Sequence, residues 1–161
     1  MKPNLIVFYS RTGKSRIVAS ELNRVIDADC EDINISFQRH GLISYLSSGW
    51  SALTRTPVQI NPPQYRARPY PLVIIGGPNW AGHVCAPLLS WLDQEGTELG
   101  RYAVWVTQGG VGASRTIRQL EDEIGHPPAA TLVLSNAEID NGNYRSKLGE
   151  FAAELAELNL Q

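Results

Sequence analysis

Cysteine is scarce in this 161-residue sequence: Cys30 and Cys85 are the only two, they fall in different segments, and no CxxC pair occurs. That excludes a thiol–disulfide redox motif and a cysteine-based zinc site, and fits two free thiols in a reducing cytoplasm. An excess of charge of one sign is missing as well. Fourteen basic residues face sixteen acidic ones, for a net charge of -2, with an isoelectric point near 5.9. No basic field exists to hold nucleic acid or an anionic membrane surface. No apolar run approaches a membrane span, and Met1-Lys2-Pro3-Asn4 leads into the first strand without a separate apolar leader. The expectation is a soluble, cytoplasmic protein with no membrane or nucleic-acid partner. Repeats and low-complexity stretches are also lacking. The length suits a single domain, 1–161, able to bury a core without disulfides or metal.

Two glycine signatures are incomplete. Gly13-Lys14-Ser15 resembles the end of a nucleotide triphosphatase loop, but Phe8 stands five positions before Gly13, where that loop needs glycine. The dinucleotide fingerprint fails because this turn holds one glycine. An aspartyl-phosphate receiver is excluded too, since Phe8, Tyr9 and Ser10 stand where it needs acidic residues.

What is present begins at Asn4. Leu5 to Tyr9 is uninterrupted by a polar residue, as expected of a parallel strand covered on both faces. Ser10, Arg11, Thr12, Gly13, Lys14 and Ser15 follow, at the start of a helix whose stripe is Ile17, Val18, Leu22 and Val25 or Ile26. Hydroxyls, two cations, free N–H groups and the positive end of the helix dipole converge there on a seat for phosphate or carboxylate. By itself the turn fits an ordinary N-capped helix, with Ser10 or Thr12 as cap, equally well.

Further along, Asp29 to Ile35 alternates as a short edge strand, and Leu42 to Leu53 has helical spacing, with Tyr45 and Trp50 either in the core or over a ligand or partner. A proline-rich linker leads to a second apolar strand, Leu72 to Ile75, which ends in Gly76-Gly77-Pro78-Asn79-Trp80-Ala81-Gly82-His83. A helix follows over Ala86 to Leu92. Tyr102 to Val106 is a third buried strand, closed by Thr107-Gln108-Gly109-Gly110-Val111-Gly112. The chain ends with a helix over Thr116 to Ile124 opened by Ser114, a strand over Ala130 to Leu134, a polar loop from Asn136 to Asn143, and a helix from Tyr144 to Leu160. Five strands alternating with helices make an α/β fold: a doubly wound parallel sheet, strand order 2-1-3-4-5, with helices on both faces.

In that order the turns after the first, third and fourth strands share one rim, where ligands of such sheets bind. The first turn suits a phosphate. The second offers the Trp80 indole on a loop tip, and the third bare backbone with Gln108. Phosphate, flat heterocycle and polar ring edge together describe a mononucleotide such as FMN. Taken singly, Trp80 also fits a packed loop anchor, and Gly109 to Gly112 a plain tight turn. His83 and Cys85 fit a helix start and a buried thiol.

These turns carry a resemblance. Tyr9 to Ser15 resembles the phosphate loop of flavodoxins, Gly77 to Gly82 their second flavin loop, and Thr107 to Gly112 their third, over essentially the whole chain. The resemblance implies a flavodoxin-like fold and FMN held without a covalent link. Ser10, Arg11, Thr12, Gly13, Lys14 and Ser15 would lie around the phosphate, and Pro78, Asn79, Trp80, Ala81 and Gly82 against the isoalloxazine. Thr107, Gln108, Gly109, Gly110 and Gly112 would face its pyrimidine side. No catalytic side chain or metal ligand is implied.

Lys14 replaces the usual asparagine and adds charge beside a phosphate. The third turn lacks the tyrosine that stacks on the flavin in electron-transfer flavodoxins, and the strongly acidic surface of those shuttles is absent, with Arg55, Arg66 and Arg68 clustered before the third strand. These departures favour an oxidoreductase that passes electrons from a donor such as NAD(P)H through FMN to a quinone or redox protein. A pure electron carrier and a cofactor-free binding module are the alternatives, and the oligomeric state stays open.

Overall fold

The computed structural model describes residues 1–36, 58–96 and 99–160. The helix expected over Leu42 to Leu53 lies outside them. The elements run β1 (Asn4–Phe8), α1 (Lys14–Val25), β2 (Ala28–Asp32), β3 (Leu72–Trp80), β4 (His83–Val84) and α2 (Ala86–Glu95). They continue with β5 (Arg101–Gln108), α3 (Ala113–Ile124), β6 (Ala130–Ser135), α4 (Asn136–Asp140) and α5 (Arg145–Leu158). The parallel sheet has the order β2-β1-β3-β5-β6, with β4 turned back antiparallel on the end of β3. Leaving β4 aside, this is the expected order, and β4 makes the sixth strand.

Alternation along the central strands splits the core in two, because successive side chains point to opposite faces. Leu5, Val7, Val73, Ile75, Tyr102, Val104 and Val106 join Leu88 and Trp91 of α2 and Leu120 and Ile124 of α3. Ile6, Phe8, Leu72, Ile74, Ala103 and Trp105 join Val18 and Leu22 of α1 and Leu148, Phe151 and Leu155 of α5. Both faces of β1 are therefore dry, and its next residue, Tyr9, begins the turn at the carboxyl rim.

Four local expectations are corrected. The strand expected to stop at Ile75 continues to Trp80, so Gly76 to Trp80 is strand and not loop. Parallel pairing with β5 holds as far as Pro78 opposite Thr107. Helix α1 buries Ser15, Val18, Ala19 and Leu22, while Ile17 and Val25 are exposed. Ser15 occupies the inward position because its hydroxyl finds a partner there, so the apolar residue one turn edge away faces water. The N-cap of α3 is Gly112 rather than Ser114. The polar stretch from Asn136 contains α4, which Ser135 and Glu138 close with a reciprocal capping box.

Candidate ligand site at the carboxyl rim

The turn between β1 and α1 is held from inside by one hydroxyl. Ser10 Oγ accepts hydrogen bonds from the N–H of Gly13 (3.1 Å) and of Arg16 (3.2 Å). Gly13 is the N-cap at φ 92°, a left-handed conformation that glycine adopts without strain; having no side chain of its own to cap with, it leaves the first-turn N–H of Arg16 to Ser10 Oγ. Among the described residues, the N–H groups of Thr12, Lys14 and Ser15 meet no acceptor. Three donors thus stand together at the positive end of α1. Thr12 is exposed beside them.

The remaining polar groups of this turn are engaged. Ser15 Oγ bonds Thr107 Oγ1 at 3.0 Å, both groups being buried, so these two hydroxyls tie the first turn to β5 and are turned away from the rim. The Lys14 ammonium pairs with the Asp140 carboxylate of α4. Arg16 donates from Nε (3.0 Å) and Nη2 (2.7 Å) to Asp32 Oδ2 at the end of β2.

The β3–β4 turn is a two-residue hairpin, Ala81 at φ 51° and Gly82 at φ 81°, with Trp80 opposite His83. Asn79 Oδ1 accepts from Gly82 N (2.7 Å) and Thr116 Oγ1 (2.9 Å). Asn79 Nδ2 donates to Val111 O (2.9 Å) and, at longer range, to Gln108 Oε1 (3.4 Å). Gln108 Oε1 also accepts from Ala113 N at 3.1 Å. Gly112, at φ 111°, lies so close to this hairpin that a Cβ there would sit 3.0 Å from Gly82 Cα.

Trp80 departs from its expected place. It ends a strand rather than standing on a loop tip, is 2% exposed, and meets Tyr9 edge to face with ring centroids 5.9 Å apart. Its indole braces the hairpin against the first turn. What the hairpin presents outward is the exposed Ala81, beside the third turn's exposed Gly109, Gly110 and Val111. Val111 is 90% exposed.

The three expected turns do share one rim, since β1, β3 and β5 are neighbours and the Ser15–Thr107, Tyr9–Trp80 and Asn79–Val111 contacts join their ends. The sequence reading missed Asp32, Asp140 and Thr116. Asp140 carried a findable signal, because Ser135-x-x-Glu138 announces the short helix that ends at it. Thr116 carried none. Cys85 is fully buried, and burial pushes its thiol up to about 12, so it supplies no thiolate to this rim. His83 is half-buried.

No protein-family model matches the sequence, and no curated protein matches it. Solved structures do match. A flavoprotein from Lactobacillus acidophilus, solved in complex with FMN, is 21% identical and superposes with a TM-score of 0.64, over 88% of this chain and 98% of its own. A protein from Bacteroides eggerthii assigned as a flavoprotein is 16% identical, with a TM-score of 0.69 over 94% of this chain and 99% of its own. A flavodoxin, WrbA-like protein from Agrobacterium tumefaciens is 13% identical, with a TM-score of 0.52 over 95% of this chain and 96% of its own. At these identities the likeness is one of fold. The fold of this chain is that of the flavodoxin-like proteins.

Proposed function

We propose that this chain binds FMN at the carboxyl rim and works as an oxidoreductase, taking electrons from a reduced donor such as NAD(P)H and passing them to a quinone or a redox protein. One observation carries the binding reading: among the described residues, the N–H groups of Thr12, Lys14 and Ser15 stand without acceptors at the start of α1, next to two glycine turns. Such a cluster suits a phosphate dianion. The glycine turns beside it leave room for a flat ring and polar backbone for its edge.

In this reading Thr12, Lys14 and Ser15 hold the phosphate through backbone N–H groups, with the Thr12 hydroxyl as a further donor, while the Gly13 N–H stays bonded to Ser10 Oγ. Ser10 keeps the turn open by bonding it from inside. Lys14 contributes a charge already shared with Asp140, and Arg11 lies on the same turn. Ala81, Gly82, Gly109 and Gly110 line the ring side, with Pro78 and Trp80 beneath them. When bound, FMN supplies hydride and single-electron chemistry. The chain's part is to orient the ring and to shield one side of it from water.

Two features support a reductase over a shuttle. The charge is nearly balanced, so the chain lacks the large negative net charge that would steer a basic partner. The third turn presents Val111, an exposed aliphatic side chain, with no aromatic between 109 and 112.

The test is FMN binding followed by fluorescence quenching, with riboflavin as the control that lacks phosphate. Thr12→Ala combined with Lys14→Ala is expected to weaken FMN about tenfold or more and to leave riboflavin nearly unchanged. Equal FMN affinity in the variant overturns the phosphate seat. Holoprotein that oxidises NADH or NADPH with a quinone no faster than free FMN leaves the carrier reading instead.

A further inference from the structure

An asparagine side chain can donate two hydrogen bonds and accept two, and the Asn79 carboxamide uses all four within the protein. It has no capacity left for a ligand. Its partners fall on both sides of a gap in the sequence: Gly82 N–H belongs to the β3–β4 hairpin, while Gln108 Oε1, Val111 O and Thr116 Oγ1 belong to the end of β5, the third turn and the first turn of α3 respectively. Above this group the two turns touch backbone to backbone. A Cβ on Gly112 would lie 3.0 Å from Gly82 Cα and 3.3 Å from Asn79 Nδ2. Thr116 is buried at 3% exposure, so its hydroxyl cannot swing to water; the bond to Asn79 Oδ1 (2.9 Å) is the shorter of its two options, the other being Gly112 O of its own helical turn at 3.5 Å.

We propose that Asn79 is a positioning residue: its carboxamide clamps the β3–β4 hairpin to the β5–α3 turn and sets the spacing at which the two turns receive a flat ring. That the ring is a flavin rests on the reading given above, whereas the clamp is a property of the chain alone. A direct contact between the Asn79 amide and the ligand is the competing role. The two roles differ in what changes before any ligand is added.

The experiment compares the full chain with Asn79→Ala, Thr116→Val and Thr116→Ser. Amide hydrogen exchange at Gly82 is measured without ligand, and dissociation constants are measured for FMN, riboflavin and inorganic phosphate competing with FMN. The clamp predicts faster exchange at Gly82 in Asn79→Ala. It also predicts that FMN and riboflavin are weakened by the same factor, about tenfold, with phosphate competition unchanged. Thr116→Val is expected to show a smaller loss in the same direction, and Thr116→Ser to restore it. Unchanged Gly82 exchange together with weakened flavin binding overturns the clamp in favour of direct contact. Faster exchange with undiminished flavin affinity overturns its link to the ligand. If Asn79→Ala does not fold, the Thr116 pair decides by the same two readouts. If the parent chain binds neither FMN nor riboflavin, the flavin reading fails by itself, and Gly82 exchange still supports or overturns the clamp.

Discussion

Gly76 shows how little freedom single residues have near the rim. A Cβ there would lie 1.8 Å from Trp105 Cε2, inside the indole ring. Trp105 is fully buried, stacked at a tilt on Phe8 with centroids 6.4 Å apart, and its Nε1 finds no acceptor among the described residues. Packing alone holds that ring, so it has nowhere to retreat. Gly76→Ala is therefore expected to destabilise the chain by about 2 kcal/mol or more, read as a lowered urea midpoint with an unchanged slope. An unchanged midpoint would mean that the Trp105 pocket yields more easily than its burial implies. The glycine was visible in the sequence, but its reason was not. Gly76 and Gly77 read as a turn because glycine and proline punctuate chains, whereas one makes room for an indole and the other for Leu88, 2.6 Å from a would-be Cβ. The same misreading put Trp80 on a loop tip, when the strand carries it into the core.

At the scale of elements, the apolar strands were legible and the short polar helix was not. Leu5 to Phe8, Leu72 to Ile75 and Tyr102 to Val106 are buried on both faces, and an unbroken apolar run reports that directly. Helix α4 is five residues long and has one buried side chain, Ile139, so periodicity could not announce it. Its capping box did appear in the sequence. Glu138 is held down to about 2, first by the Lys147 ammonium and then by the Ser135 N–H and hydroxyl. Because the folded-state value is depressed below 4.5, the stabilisation is present above about pH 4.5 and is lost as pH falls through about 2. Glu138→Gln should thus be less stable than the parent chain near neutral pH, with the difference closing across that acid window in urea titrations. A difference that stayed constant to pH 2 would assign the effect to the shape of the cap and not to its charge. Helix α4 also bears on the site, because it brings Asp140 to Lys14.

For the whole molecule, the arrangement follows from one constraint: parallel strands need crossovers, crossovers put helices on both faces, and every strand of the parallel sheet then points its carboxyl end to the same side. That is why turns after β1, β3 and β5, separated by long stretches of sequence, could be assigned to one edge from the strand pattern alone. The contacts that make them a single body could not. Ser15 with Thr107, and Asn79 with Gly82, Val111 and Thr116, are pairings of ordinary polar residues, and no spacing in a sequence specifies which hydroxyl meets which amide. The central claim is that the first, second and third turns receive one phosphorylated flat ligand together. The most direct test is titration of isotopically labelled protein with FMN, following backbone amide resonances. The expected result is that Thr12, Lys14, Ala81, Gly82, Gly109 and Gly110 shift along a single binding curve. Shifts confined to one turn, or none at all at saturating FMN, would contradict it.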